Sequence, residues 1–222
     1  MTPTPRTFAR LQLSDHAAAH VRALIMSGAL RPGMSVRPEA VGEDLGISTT
    51  PAREALQLLR AEGFLELAPG RGFTVAPLTG DDIRDLFTTQ ALLAGELAAR
   101  AAEAATESDV AELEALHHEL IAAARRQDTE GLETKNHEFH RHINRLAGSR
   151  KLRWALGLVT RYVPRQFYAS IPGWPAATVS DHEAILAGIR NGDPARARSA
   201  MHEHIVHAGE LLAQNFDSRA GD

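Results

Sequence analysis

The sequence predicts a mostly α-helical chain in two parts. A helix-turn-helix with a small β-hairpin comes first, and an antiparallel bundle of six helices follows. Three observations predict this. Two helical patterns meet at a turn in Leu45-Gly46-Ile47-Ser48-Thr49-Thr50-Pro51. Two alternating stretches, Phe64-Leu65-Glu66-Leu67 and Gly72-Phe73-Thr74-Val75, flank the turn residues Ala68-Pro69-Gly70-Arg71. From Asp81 onward apolar residues recur at helical spacing, punctuated at Gly148-Ser149, Ile171-Pro172-Gly173-Trp174-Pro175 and Asn191-Gly192.

Residues 1–9 carry Pro and Thr without a period and are expected to be disordered. A first helix is expected over Ser14 to Ser27, with Ser14 as cap, a buried stripe of Ala17, Val21, Leu24 and Ile25, and Gly28 as its end. Leu30-Arg31-Pro32-Gly33 turns the chain into a short strand at Met34-Ser35-Val36. A helix over Arg37 to Leu45 then buries Ala40, Val41 and Leu45. Gly46 ends it, because glycine tolerates the positive φ that a helix C-terminus requires.

Ser48 or Thr49 can cap the next helix, and Pro51 suits its first turn, where a missing N–H costs nothing. Ala52, Ala55, Leu56 and Leu59 make its apolar face, while Arg53 and Arg60 lie on the solvent side. The N-terminal end therefore presents Ser48, Thr49, Thr50 and Arg53. Hydroxyls and backbone N–H groups suit phosphate, and arginine suits phosphate or guanine, so this is the equipment of a helix that reads a DNA major groove. Arg71, between Gly70 and Gly72 at the hairpin tip, is placed to reach a minor groove or a phosphate.

Ala76-Pro77-Leu78-Thr79-Gly80 forms a linker, which divides the chain at 10–77 and 78–217. Six bundle helices are expected at about 81–104, 107–126, 128–147, 150–168, 177–191 and 193–216, the last with Asp193 as cap and Pro194 at its first position.

Composition narrows the function. At 222 residues with 44% hydrophobic and 5% aromatic content, the chain is a globular, helix-rich protein of two small domains. It has no cysteine, which removes disulfides and thiolate metal ligands and agrees with a reducing cytoplasm. No apolar run suggests a membrane span or a signal peptide. The net charge of −4 is uneven: residues 1–77 hold 8 basic and 7 acidic side chains, and the remainder holds 16 and 21. DNA binding would therefore rest on locally placed arginines and a helix N-terminus, doubled in a dimer, and not on a broad basic surface.

Five short motifs carry a specific resemblance: Leu30-Arg31-Pro32-Gly33, Gly46-Ile47-Ser48, Thr50-Pro51-Ala52-Arg53-Glu54-Ala55-Leu56, Glu62-Gly63-Phe64-Leu65 and Pro69-Gly70-Arg71-Gly72-Phe73-Thr74-Val75. In order and spacing they resemble the winged helix-turn-helix of GntR-family transcription regulators, the hairpin being the wing. Many relatives carry arginine just before the Thr-Pro pair. This chain has Thr49, so base preference does not carry over there.

A second set follows: Asn136-His137-Glu138-Phe139-His140, Leu146-Ala147-Gly148-Ser149, Asp181-His182-Glu183-Ala184-Ile185-Leu186, Ile189-Arg190-Asn191-Gly192-Asp193 and Met201-His202-Glu203-His204-Ile205. These resemble the FCD effector-binding domain of the FadR-like branch, and six helices suit its VanR-type subgroup. In many such relatives an Asp and three His on separate helices bind a divalent metal. The resemblance places the Asp position on Asn136 and the histidines on His140, His182 and His204. Asn136 and His140 are four apart and project from one helix face. Three neutral imidazoles favour a transition metal, Zn²⁺ or Ni²⁺, over Mg²⁺ or Ca²⁺. An amide at Asn136 can ligate but brings no charge. The other histidines, among them His117, His118, His137, His142, His202 and His207, read as ordinary surface or core residues.

The resemblance also implies a small carboxylate effector at the open positions of the metal. Arg161 and Arg165, four apart on the expected fourth bundle helix, could fork a carboxylate. A relative-like arginine on the first bundle helix falls on Gln90, and a nearby acidic position falls on Ala94. The expected function is thus a non-enzymatic, ligand-responsive repressor, a homodimer on a near-palindromic double-stranded DNA operator. The competing reading is a metal-dependent hydrolase built on the three histidines. It lacks a placed general base, since Glu138 and Glu183 adjoin the candidate ligands in sequence but face elsewhere on their helices.

Overall fold

The computed structural model describes residues 5–163, 168–169 and 171–220. The chain divides into two compact units, residues 1–78 with 162–164, and residues 79–161 with 165–222.

The first unit is a three-helix core with a three-stranded sheet. Its elements are α1 (Pro5–Met26), β1 (Ser35–Val36), α2 (Pro38–Leu45), α3 (Thr49–Ala61), β2 (Leu65–Ala68) and β3 (Gly72–Val75). Helix α1 begins at Pro5, which corrects the expected start at Ser14 and the expected disorder over residues 5–9; residues 1–4 lie outside the described residues. Ser14 is not a cap; it lies inside the helix and is buried. The stripe of Ala17, Val21 and Ile25 is buried as expected, with Leu24 half-buried. In α2, Val41 is buried, Leu45 half-buried and Ala40 exposed. Gly46 takes the left-handed conformation at φ 64° and its N–H reaches back into α2, ending the helix as the sequence requires.

Helix α3 buries Ala52, Ala55, Leu56 and Leu59 completely. The sheet order is β1-β3-β2, all antiparallel, with Leu65 opposite Val75 and Ala68 opposite Gly72. The hairpin turn closes through Arg71 N–H donating to the Ala68 carbonyl at 3.0 Å.

The second unit holds α4 (Gly80–Ala104), α5 (Glu107–Arg126), α6 (Thr129–Leu146), α7 (Arg150–Thr160), α8 (Trp174–Arg190) and α9 (Pro194–Ala220). Two capping boxes start α4 and α5, Thr79 with Asp82 and Thr106 with Asp109. Asp193 accepts the Arg196 N–H at 3.0 Å, as expected of a cap. The expected fourth bundle helix, 150–168, is shorter: α7 ends at Thr160. Helix α8 begins at Trp174, ahead of the expected 177.

Helices α4 and α9 run antiparallel in close contact. A Cβ built on Gly209 would lie 2.5 Å from Phe87, and one on Gly95 would lie 3.0 Å from the Arg198 carbonyl. Helix α8 meets α9 the same way, since a Cβ on Gly188 would lie 2.7 Å from the Ala197 nitrogen. Leu97, Ala98, Ala101, Leu113, Phe139, Ile143, Ile185 and Met201 fill the core between the helices. Among the described residues, no helix is long and apolar enough to cross a membrane.

Candidate functional site

The two candidate sites lie in separate units. In the first unit, burial of one face of α3 leaves Ser48, Thr49, Thr50 and Arg53 exposed on the other. Ser48 takes the cap position without a side-chain cap bond. The first-turn N–H groups are therefore not claimed by the Ser48 hydroxyl, and they leave the partial positive charge of a helix N-terminus facing outward. Thr49, Thr50, Arg53, Glu54 and Gln57 line an open depression on this face. The Arg53 side chain is 60% exposed and touches Glu39 only at 3.5 Å. A long, exposed pair of this kind holds a guanidinium weakly, so Arg53 is free to exchange Glu39 for another anion.

At the hairpin tip, Gly70 and Gly72 adopt φ 73° and 74°, and Arg71 between them is exposed. Its carbonyl accepts a hydrogen bond from the Ser35 hydroxyl at 3.2 Å, which ties the tip to β1. One supporting pair escaped the sequence reading. Arg22 of α1 is buried, lies over the Phe64 ring at 5.5 Å and bonds Glu62, the C-cap residue of α3, at 2.5 Å. Its signal was a cation beside the apolar stripe at Val21.

In the second unit, His140 of α6, His182 of α8 and His204 of α9 converge. Each offers a ring nitrogen, and the three lie within 4.8 Å of one another. The His140 and His204 Nε2 atoms are 3.2 Å apart. With metal–nitrogen bonds of about 2.05 Å, two ligand nitrogens lie about 3.3 Å apart in a tetrahedral site and about 2.9 Å apart in an octahedral one. The separation of this pair is close to either value.

His182 is fully buried and stacks on Phe139, ring centroids 4.1 Å apart. Neither of its ring nitrogens has a hydrogen-bond partner, and neither has the buried Oδ1 of Asn136, one turn before His140. Orphaned buried polar atoms cost about 1–3 kcal/mol each, so their collection beside a histidine trio marks a place for a ligand atom. Burial, with the neighbouring imidazoles, holds His140 and His182 well below the usual imidazole range. Both are therefore neutral at pH 7, the form that ligates. The donor set, three imidazole nitrogens and no thiolate, fits a divalent transition metal.

Other residues meet the site differently from expectation. Gln90 is buried on α4 with its Nε2 unpartnered. Arg161 lies past the last turn of α7 as its C-cap residue, is exposed, and its Nε donates to the Gly157 carbonyl at 3.3 Å. Arg165 lies outside the described residues. His117, read as ordinary, is buried with both ring nitrogens unpartnered, 5.8 Å from the His182 ring. Asp181, adjacent to His182 in sequence, accepts from His204 Nδ1 at 3.2 Å. A general base for hydrolysis is not supplied by the two glutamates beside the ligands, because Glu138 bonds Lys135 at 2.9 Å and Glu183 is exposed.

Comparison with known proteins agrees with this geometry. Residues 85–207 match the FCD domain, and residues 13–75 match the gntR family of bacterial regulatory proteins. The chain is 27% identical over 209 residues to the probable D-xylose utilization operon transcriptional repressor of Paenarthrobacter nicotinovorans, covering 93% of this chain and 91% of that one. It is 26% identical over 221 residues to the Glc operon transcriptional activator of Escherichia coli (strain K12), covering 88% and 87%. The solved structure of E. coli McbR/YncC shares the fold, with a TM-score of 0.69 at 24% identity over 92% of this chain and 98% of that one. With an FCD domain over more than half its length and a gntR-type DNA-binding region before it, the chain belongs to the GntR/FCD family of ligand-responsive DNA-binding transcriptional regulators.

Proposed function

We propose that residues 10–77 bind a near-palindromic DNA operator and that residues 78–217 dimerise the chain and sense a small carboxylate at a metal. In this reading Ser48, Thr49, Thr50 and Arg53 enter the major groove, and Gly70, Arg71 and Gly72 approach the minor groove or the backbone. Asn136, His140, His182 and His204 hold Zn²⁺ or Ni²⁺. Such an ion supplies a Lewis-acidic open position for a carboxylate oxygen. Gln90 contributes an amide N–H to the effector, and Arg161 or Arg165 would require the effector to reach the segment after α7. The chain falls in the FadR-like branch, VanR-type subgroup, and acts as a repressor released from DNA by the effector. Release is a shift of population between DNA-competent and DNA-incompetent states, as large as the effector's preference for one of them.

The observation that carries this reading is the pairing, in one chain, of an exposed arginine-bearing helix N-terminus with a convergent trio of imidazoles, two of them buried and one half-buried. A mobility-shift series on DNA flanking the gene tests it, with metal-stripped, Zn²⁺-loaded and Ni²⁺-loaded protein and a panel of small organic acids. A shift that one acid abolishes only in the metal-loaded protein is expected. Binding insensitive to metal and to every acid would remove the sensing half of the proposal.

A further inference from the structure

We infer that Asp181 is the positioning residue of the histidine trio: it fixes the tautomer of His204 and supplies the negative charge that the donor set lacks. The inference rests on the metal reading proposed above. It begins with consecutive residues on α8. Side chains at neighbouring helical positions point about 100° apart. His182 therefore turns into the core against Phe139, while Asp181 turns toward α9.

There the Asp181 Oδ2 meets His204 Nδ1 at 3.2 Å. The same oxygen meets Nδ1 of His207, one turn along α9, at 3.2 Å. An ionised carboxylate only accepts, so His204 Nδ1 carries its hydrogen. The lone pair of His204 then lies on Nε2, the atom that faces His140 Nε2 at 3.2 Å. Two ring nitrogens in hydrogen-bond contact share one hydrogen, so in the ion-free protein His140 Nε2 donates. An ion held at this point would take the Nε2 lone pair of His204 as it stands, and that of His140 once the His140 hydrogen moves from Nε2 to Nδ1, both rings staying neutral. Asp181 thus presents His204 in its ligating form before any ion arrives.

Charge gives Asp181 a second role. Three neutral imidazoles and the Asn136 amide bring no charge to a dication. A carboxylate bonded to one of the ligands raises the basicity of that imidazole and offsets part of the ion's charge from one shell out. His207 is half exposed and holds the carboxylate from the solvent side.

The test uses the metal-stripped full chain in four forms: wild type, Asp181→Asn, Asp181→Glu and His207→Ala. Each is titrated with Zn²⁺ by calorimetry, and the histidine ¹⁵N shifts are read in the ion-free state. Wild type is expected to show His204 as the Nδ1–H tautomer. Asp181→Asn should bind Zn²⁺ about 10–100-fold more weakly and lose the single-tautomer signature. Asp181→Glu should retain more affinity than Asp181→Asn, and His207→Ala should stay near wild type. An Nε2–H tautomer at His204 in the wild-type protein overturns the inference whether or not the variants fold. So does wild-type Zn²⁺ affinity in a folded Asp181→Asn. Wild-type protein that takes up no Zn²⁺ while His204 keeps the Nδ1–H tautomer overturns the metal reading and leaves the orienting contact standing.

Discussion

His140 and His204 bring their Nε2 atoms to 3.2 Å although 64 residues separate them in the chain. The approach is built by packing. Phe139, beside His140, is fully buried, and Met201, three residues before His204, is buried in the same core. The histidines are carried inward by neighbours that have no chemistry of their own.

Metal uptake follows from that convergence. The protein is expected to bind one divalent transition ion per chain, and Zn²⁺ at 100 times its dissociation constant stabilises the bundle by about 2.7 kcal/mol. In a chain of this size that raises the melting temperature by about 5–10 °C. His182→Ala should abolish the increment. Elemental analysis with thermal melts checks both, and an equal rise in His182→Ala would move His182 out of the site.

Arg22 gives a prediction for the reading head. Its side chain is 7% exposed and pairs with Glu62 at 19%. Removing one partner of a nearly buried pair strands the other, at a cost of about 2–4 kcal/mol here, discounted for the partial exposure of Glu62. Arg22→Ala should lower the unfolding midpoint of residues 1–78 and weaken DNA binding with it, since Glu62 anchors the end of α3. Urea unfolding followed by DNA titration at a temperature where both proteins are folded separates the two effects.

Gly188 tests the α8–α9 contact. A methyl group there meets the Ala197 backbone at 2.7 Å, which cannot yield as a flexible side chain would. Gly188→Ala should destabilise the bundle by about 1–3 kcal/mol despite alanine's better helix propensity. A neutral or stabilising change in a thermal melt would show that the helices separate easily.

Acid should loosen the start of α5. The Thr106 hydroxyl, then the Thr106 N–H, hold the Asp109 carboxyl below the usual carboxylate range, and burial opposes them only in part. A carboxylate with a lowered folded value stabilises above its unfolded value, about 3.9, and loses that contribution as pH falls through the folded value. Amide exchange in the first turn of α5 should therefore speed up below about pH 4 relative to other helix starts, once corrected for intrinsic rates. Asp109→Asn should abolish most of that pH dependence.

Much of this architecture was legible in the sequence, for identifiable reasons. The α2–α3 turn depends on one glycine, Gly46, that only a left-handed residue could replace. The hairpin depends on alternation around Gly70 and Gly72, both at positive φ. The ends of two helices were not legible. Ser14 looks like a cap, yet its position within α1 is buried and the helix continues to Pro5. The apolar period runs past Thr160, but Pro164 disfavours helix at the residue before it, a signal that outranks the period. The histidine trio was placed by resemblance to a family, because no local pattern links residues on α6, α8 and α9. The roles of Asp181 and Arg22 depend on which helix comes to lie opposite, and that is information only the packing holds.

The measurement that bears most directly on the account is the affinity of Arg53→Ala for DNA flanking the gene, beside wild type, with circular dichroism to confirm the fold. Arginine to a guanine edge or phosphate contributes about 1–3 kcal/mol, so binding per site should fall about 10–100-fold, with unspecific binding less affected. Wild-type affinity and sequence preference in a folded Arg53→Ala protein would contradict the claim that the exposed end of α3 reads the operator.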